Sequence, residues 1–216
     1  MKKVLIACSL LICFVFAFGQ DISTLIMQAE NGETSAQVEL GSCYYVGRKG
    51  VEKNYKEAAK WYLLAAKSGN SYAQYRVGYL YMKGEGVETN YPEAINWLKK
   101  ASDAGENWGT YHLATIFYEG NLGTPDYEQA FNLFGKLAAL SFYNSQYMLG
   151  MMYKNGQGTP VDYKKAFYWV YECAMDDWIE AQYELASMYY NGIGVEANEE
   201  EGDYWYETAE ENEEYW

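Results

Sequence analysis

A chain of 216 residues, half of them apolar and 18% aromatic, holds ample material for a buried core, and its formal charge of −14 makes a surface that repels polyanions. Nucleic acid is therefore excluded as an expected partner, since counterion-release binding needs clustered Lys and Arg. Four cysteines and one histidine exclude a disulfide-rich scaffold, a histidine-dependent triad and a multi-histidine metal site.

The first element is the run Met1-Lys2-Lys3 followed by the apolar stretch Val4 to Gly19, which ends in the small-residue pattern Ala17-Phe18-Gly19. A charged start, an apolar core and a cleavage pattern read as a secretory signal peptide over 1–19. A lipoprotein signal is the alternative, because Leu5-Ile6-Ala7-Cys8 has the residue types of a lipobox. Four apolar residues before that cysteine are too few for an apolar core of about 7–15 residues. Cleavage after Gly19 is expected to leave Gln20 first, and loss of Lys2 and Lys3 takes the charge from −14 to −16. Of the cysteines, Cys8 and Cys13 leave with the signal, so Cys43 and Cys173 reach the oxidising compartment. No later stretch is apolar enough to span a bilayer, so no membrane insertion is expected after cleavage. The exported chain is expected to be monomeric, in the periplasm or outside the cell.

Residues 20–35 read as a capping helix, because Gly32 precedes Ala36 by the same four residues as Gly69 precedes Ala73. From Ala36 onward the chain repeats. The segments opening at Ala36, Ala73, Gly109, Ser145 and Ala181 start 37, 36, 36 and 36 residues apart, giving repeats at 36–72, 73–108, 109–144, 145–180 and 181–216. In each, a small residue, an aliphatic four on and an aromatic eight on (Tyr44, Tyr81, Phe117, Tyr153, Tyr189) share one stripe of a helix, called helix A. Helix A stops at Gly47, Gly84, Gly120, Gly156 and Gly192, and a second glycine follows at Gly50, Gly86, Gly123, Gly158 and Gly194. The extra residue of the first and third repeats sits inside this turn, where an insertion costs least.

Helix B of each repeat is announced by Asn54, Asn90, Asp126, Asp162 and Asn198, with Glu57, Glu93, Gln129 and Glu201 three residues on in four of the five. This resembles a capping box made with Asx caps. Ala58, Trp61 and Ala65, with their counterparts down to Trp205 and Ala209, form the expected inward stripe of helix B. Gly41, Gly78, Ala114, Gly150 and Ala186 lie mid-helix, where close approach of helices A and B is the expected compensation for glycine's poor helix propensity.

The pattern A-x-x-x-L-G-x-x-Y-x-x-G-x-G-V-x-x-(N/D)-x-x-x-A-x-x-W-x-x-x-A, fullest over Ala73 to Ala101, resembles the Sel1-like repeat, a relative of the tetratricopeptide repeat, across about residues 36–216. The resemblance implies an all-α fold, a right-handed α-solenoid of about five helix-turn-helix repeats. The third repeat departs most, with Gly109 for the opening alanine, Leu133 for the tryptophan and Ser141 for the closing glycine. The ten carboxylates between Glu196 and Glu214 suit the polar cap that a terminal repeat needs.

Candidates for chemistry are few. His112, the sole histidine, occupies a helix A position filled by Glu39, Arg76, Met148 and Glu184 elsewhere, and is expected to be a surface or groove residue. Cys43 and Cys173 lie three repeats apart, on the order of 10 Å per packed helix layer, so they cannot reach the less than about 7 Å that a disulfide requires. A branch of the resembled family carries a cysteine pair in every repeat, and β-lactam hydrolysis has been attributed to it; those pairs are absent here. Gly156-Gln157-Gly158 lacks the Lys and Ser of a phosphate-binding loop. Many of the 24 tyrosines fall in fixed columns, which packing between neighbouring repeats explains better than stacking on sugars. No cofactor, no metal and no catalytic residue are expected, and the chain is not expected to be an enzyme.

With the opening residue of helix A at 0°, positions four and eight fall at about 40° and 80°, whereas positions three, six and ten fall at about 300°, 240° and 280°. This second face carries no shared residue type. The tetratricopeptide resemblance implies that it lines the concave side. The candidate partner-binding residues are then Arg76, Tyr79 and Lys83, His112, Thr115 and Glu119, Met148, Met151 and Asn155, and Glu184, Ser187 and Asn191. Their mixed polar, aromatic and Met character suits a peptide or protein partner. An exported protein-interaction scaffold or adaptor is the expected function. A secreted effector engaging a host protein, and a hydrolase or binder of cell-wall or β-lactam-type ligands, are the alternatives.

Overall fold

A computed structural model describes residues 22–214, so the expected signal peptide and its cleavage site at Gly19 lie outside the described residues. Among the described residues there are eleven α-helices and no strand. They divide into two compact units after Thr89. The first unit contains α1 (Ile22–Glu30), α2 (Thr34–Val46), α3 (Tyr55–Lys67) and α4 (Ser71–Lys83), each packed on the helix before it. The second contains α5 (Tyr91–Asp103), α6 (Asn107–Glu119), α7 (Tyr127–Ala138), α8 (Tyr143–Asn155), α9 (Tyr163–Met175), α10 (Ile179–Asn191) and α11 (Glu199–Glu214), where each helix from α6 onward packs on its predecessor. Helices α2, α4, α6, α8 and α10 are the helix A type; α3, α5, α7, α9 and α11 are the helix B type. Packing of consecutive helices on one another within each unit is the arrangement of a helical-repeat solenoid.

The helix boundaries follow from local chemistry. Helix A ends at a residue in the left-handed region in every repeat, with φ of 75°, 71°, 69°, 67° and 64° from Gly47 to Gly192. Helix B opens where an Asx side chain accepts a backbone N–H three residues on: Asn54 from Glu57, Asn90 from Glu93, Asp126 from Gln129, Asp162 from Lys165 and Asn198 from Glu201. The reciprocal half of a capping box is not made. Instead the backbone N–H of Asn54, Asp126, Asp162 and Asn198 donates to the carbonyl of the aromatic eight into helix A, namely Tyr44, Phe117, Tyr153 and Tyr189, at 2.7–3.0 Å. The cap thus ties the two helices of a hairpin together, which a closed capping box would not do.

Two of the three expected positions in each row are buried as expected, and the third is shifted by one residue, to eight past the cap in helix B and to seven in helix A. In helix B the residues at four, eight and eleven past the cap are at most 1% exposed in four repeats: Ala58, Tyr62 and Ala65; Ala94, Leu98 and Ala101; Ala130, Phe134 and Leu137; Ala166, Val170 and Cys173. The tryptophan column is buried at Trp61 and Trp205 but only half-buried at Trp97 and Trp169, as is Leu133. In helix A the row is zero, four and seven, where Cys43, Leu80, Ile116, Met152 and Met188 are buried and the aromatic at eight is half-buried. Both stripes follow i, i+4, i+7, and the large rings lie at their margins, where an indole N–H or phenol O–H stays near water. Cys43 and Cys173 are both buried free thiols, one in each unit. Burial pushes the Cys173 thiol up to about 12, so it remains protonated.

Close approach is visible where glycine stands mid-helix. A Cβ at Gly41 would lie 2.9 Å from the Tyr62 ring, and one at Gly150 would lie 3.1 Å from Val170 Cγ2. The departure at Gly109 has the same cause, since an alanine methyl there would sit 2.7 Å from Ala101 Cβ. Ser141 keeps the left-handed conformation of the glycine it replaces, with φ of 58° against 88° at Gly69.

Replacement of Gly150 by Leu is expected to overpack the α8–α9 contact and cost about 1–3 kcal/mol in urea-induced unfolding. Gly135→Ala in α7, where a Cβ meets nothing within 4 Å, should instead gain about 0.5–1 kcal/mol of helix propensity. Equal midpoints for Gly150→Leu and the wild type would contradict the close packing.

The caps also set a pH dependence. Backbone hydrogen bonds from Gln129 and Lys165 hold the Asp126 and Asp162 carboxyls below the usual carboxylate range. A depressed folded-state value means that the charged cap contributes stability above the ordinary Asp pKa of about 3.9 and loses it as pH falls through the folded value. Thermal melts of Asp162→Ala should therefore fall further below wild type at neutral pH than at pH values well under 4. A gap that stays constant across this range would remove the charged-cap contribution.

Candidate partner-binding face

The expected face is laid out on each helix A in the same graded way. Positions three and six are half-buried (Arg76 and Tyr79, His112 and Thr115, Met148 and Met151, Glu184 and Ser187), while position ten is exposed (Lys83, Glu119, Asn155, Asn191). The α-helical 3.6-residue period places these on one side, flanking the buried row at roughly 90° from it.

In the first unit Arg76 is held by rings. Its guanidinium carbon lies 4.1 Å from the Tyr45 ring centroid, 5.2 Å from Tyr62 and 5.8 Å from both Tyr75 and Tyr79. Its Nε and Nη2 are covered and have no hydrogen-bond partner, so the rings, and not an acid, balance the charge. Tyr45 in turn hydrogen-bonds Glu85, and burial together with that bond pushes its phenol well above the usual range. Burial also lifts Tyr62 to about 12. Arg76 is therefore largely part of the packing of its unit, with Tyr79 and Lys83 completing the outer side.

In the second unit His112 rests between rings, stacked on Trp108 at 6.0 Å and edge-on to Tyr111 at 5.4 Å. Trp108 is 42% exposed and packs edge-on against Phe142 at 4.9 Å. Thr115 Oγ1 donates to the Tyr111 carbonyl at 3.0 Å, so its hydroxyl serves its own helix. Glu184 pairs with Lys154 at 2.5 Å, bridging α8 and α10 with both side chains mostly covered. Asn191 Nδ2 donates to the Ser187 carbonyl at 2.7 Å. Met148, Met151, Glu119 and Asn155 complete the face in this unit. Lys154 and Trp108 were missed by the sequence reading because they stand at positions nine and minus one, outside the three-six-ten set. No group of three or more His, Cys, Asp or Glu side chains suited to a metal ion occurs among the described residues.

These helix pairs and their turns define a helical-repeat protein, and comparison places it in a family. The Sel1 repeat family matches residues 34–70, 71–106, 109–142, 144–172 and 179–213, so the chain belongs to the Sel1 repeat family. A crystal structure of a Sel1 repeat protein from Oxalobacter formigenes is similar with a TM-score of 0.79 and 29% identity, covering 88% of this chain and 78% of that one. A protective antigen present in uropathogenic Escherichia coli strains, displaying an SLR fold, is similar with a TM-score of 0.72 and 27% identity over 89% of this chain and 49% of that one. The ERAD-associated E3 ubiquitin-protein ligase component HRD3A of Arabidopsis thaliana is 29% identical over 65 residues, 30% of this chain. The chain spans about 10% of the length of that curated relative. Sel1 repeat proteins generally mediate protein–protein interactions.

Arg76→Lys keeps the charge but loses the flat stacking surface, and it is expected to cost about 1 kcal/mol in chemical denaturation. A variant as stable as wild type would show that the tyrosine rings gain nothing from the guanidinium.

Proposed function

We propose that this chain is an exported interaction scaffold whose helix A face binds a peptide or protein segment. The observation that carries the reading is the contrast within each helix A. Positions zero, four and seven are fixed by packing, whereas three, six and ten share no residue type and face outward to a graded degree. Variation confined to the face that no packing column claims is what a partner-reading surface requires. The run Lys2-Lys3 and the apolar stretch to Gly19 support delivery to the periplasm or the medium. The net charge of −14 favours a partner that is neutral or basic, and disfavours nucleic acid.

A second reading, a secreted effector that engages a host protein, is favoured by the likeness to the uropathogenic protective antigen. It uses the same face and differs in where the partner resides. Fractionation of the producing cell distinguishes the two by the location of the mature chain.

The test exploits the exposed position ten. Glu119→Lys combined with Asn155→Lys changes charge on the face without touching the core, and should leave the melting temperature within about a degree or two of wild type. Affinity capture from envelope extract with the wild-type chain should recover partners that this variant loses, while Lys136→Glu on α7, outside the face, keeps them. Recovery of the same proteins by both charge variants would show that binding does not use helix A.

A further inference from the structure

The helix B position five residues past the cap is Ala59 in α3, Ile95 in α5, Phe131 in α7, Phe167 in α9 and Asp203 in α11. In α7 and α9 the phenyl ring stands edge-on against the aromatic eight into the next helix A. Phe131 meets Tyr153 at 5.2 Å and 87°, and Phe167 meets Tyr189 at 5.3 Å and 90°. The first unit has the corresponding aromatic, Tyr81, but at position five it has only the methyl of Ala59. Where the ring would be there is an open cavity of about 210 Å³, lined by Ala59, Leu63, Leu80, Tyr81 and Val87 together with Lys56 and Lys60.

We propose that this cavity is a binding site for one aromatic side chain of a protein partner, carried next to a carboxylate. Three observations support it. The shape is that of a missing ring, because the same backbone frame is filled by phenylalanine twice elsewhere in the chain. The size lies under the roughly 300–1,000 Å³ of clefts that take drug-sized ligands, so a single side chain is the fitting occupant. Tyr81 offers the edge-to-face contact that Tyr153 and Tyr189 give to their own rings. The carboxylate follows from the rim. Lys56 and Lys60 are exposed on α3 and Lys60 pairs with Glu57 at 3.5 Å, so the two lysines keep an excess positive charge on a strongly acidic protein. An acidic group beside the ring would be drawn to them, though screened by salt. This site uses positions four, seven and eight of α4 and lies apart from the three-six-ten face, so it stands or falls independently of the proposal above.

The experiment uses the full chain and three probes: N-acetylphenylalanine, which carries ring and carboxylate; its carboxamide, which keeps the ring alone; and decanoate, which keeps the acid on an aliphatic chain. Binding is read by ligand-observed saturation-transfer NMR and by titration. Wild type is expected to bind N-acetylphenylalanine saturably and more tightly than the other two. Ala59→Phe builds into α3 the ring that α7 and α9 already have, so it should melt no lower than wild type and weaken binding by about tenfold or more. The Lys56→Gln, Lys60→Gln double variant should lose about threefold in affinity and its preference for acid over amide. The proposal is overturned if wild type shows no saturable binding up to about 20 mM, or if Ala59→Phe binds as well as wild type. It is equally overturned if decanoate is the tightest ligand, or if the acid preference survives loss of both lysines.

Discussion

At the second glycine of the turn the backbone of one repeat rests on the backbone of the one before it. A Cβ at Gly86, Gly158 or Gly194 would lie 2.3, 2.1 and 2.0 Å from the carbonyl oxygens of Tyr55, Tyr127 and Tyr163, the first residues of the preceding helix B. No side chain intervenes, so the distance between these repeats is set by main-chain contact and not by the varying residues around it. Around these three contacts one packing column holds residues as different as Tyr62, Phe134 and Val170. The contact is absent in the two turns lengthened by one residue: a Cβ at Gly50 or Gly123 would meet nothing within 4 Å, and Gly123 adopts φ of 131°.

A second recurring contact satisfies the ends of the helices. The last carbonyls of a helix have no partner within it. Here a buried glutamine, one residue after the opening position of helix A, donates to the carbonyl of an alanine eight residues earlier: Gln37 to Ala29, Gln74 to Ala66 and Gln182 to Ala174, at 3.1–3.3 Å. In α6 the glutamine is Thr110, and the contact becomes a hydroxyl pair with Ser102 at 2.7 Å. Where α11 packs on α10, the remaining oxygen of Gln182 accepts from Asn212 at 3.1 Å. Polar side chains are thus spent on joining consecutive helices, and on helix A position ten is the one of the three face positions that stays exposed in α4, α6, α8 and α10.

Much of this was legible from period alone. The helix type, the turn glycines and the five Asx caps depend on residues within a few positions of each other, so a repeat of 36 residues exposes them by alignment of the chain with itself. One member of the helix B row was misplaced by one residue because tryptophan is conspicuous; Trp97 and Trp169 stand at the margin while the adjacent Leu98 and Val170 lie at the bottom beside the expected Ala94 and Ala166. Gln37, Gln74 and Gln182 were visible as a column but not as buried, since a polar residue at a core position announces itself only when its partner carbonyl is located. The aromatic enclosure of Arg76 was not legible at all. It gathers Tyr45 from α2, Tyr62 from α3 and Tyr75 and Tyr79 from α4, and no spacing rule within one helix relates them.

The same alignment shows where packing has been given up. In four repeats the residue eight past the cap is fully covered, yet its counterpart Tyr206 on α11 is 44% exposed, and Glu210 stands where Ala66, Ser102, Ala138 and Ala174 are buried. Carboxylates along this helix carry no Lys or Arg among them, so an apolar stripe that would otherwise invite another copy is bordered by like charge. Tyr190 and Tyr183 then turn inward to that helix, their hydroxyls donating to Asp203 at 2.7 Å and Glu213 at 2.9 Å. The missing ring at Ala59 is the opposite case, a packing column left open beside positive charge. Two departures from one repeated frame, one closed off by acid and one framed by lysine, give the molecule surfaces of different character without changing how its helices stack.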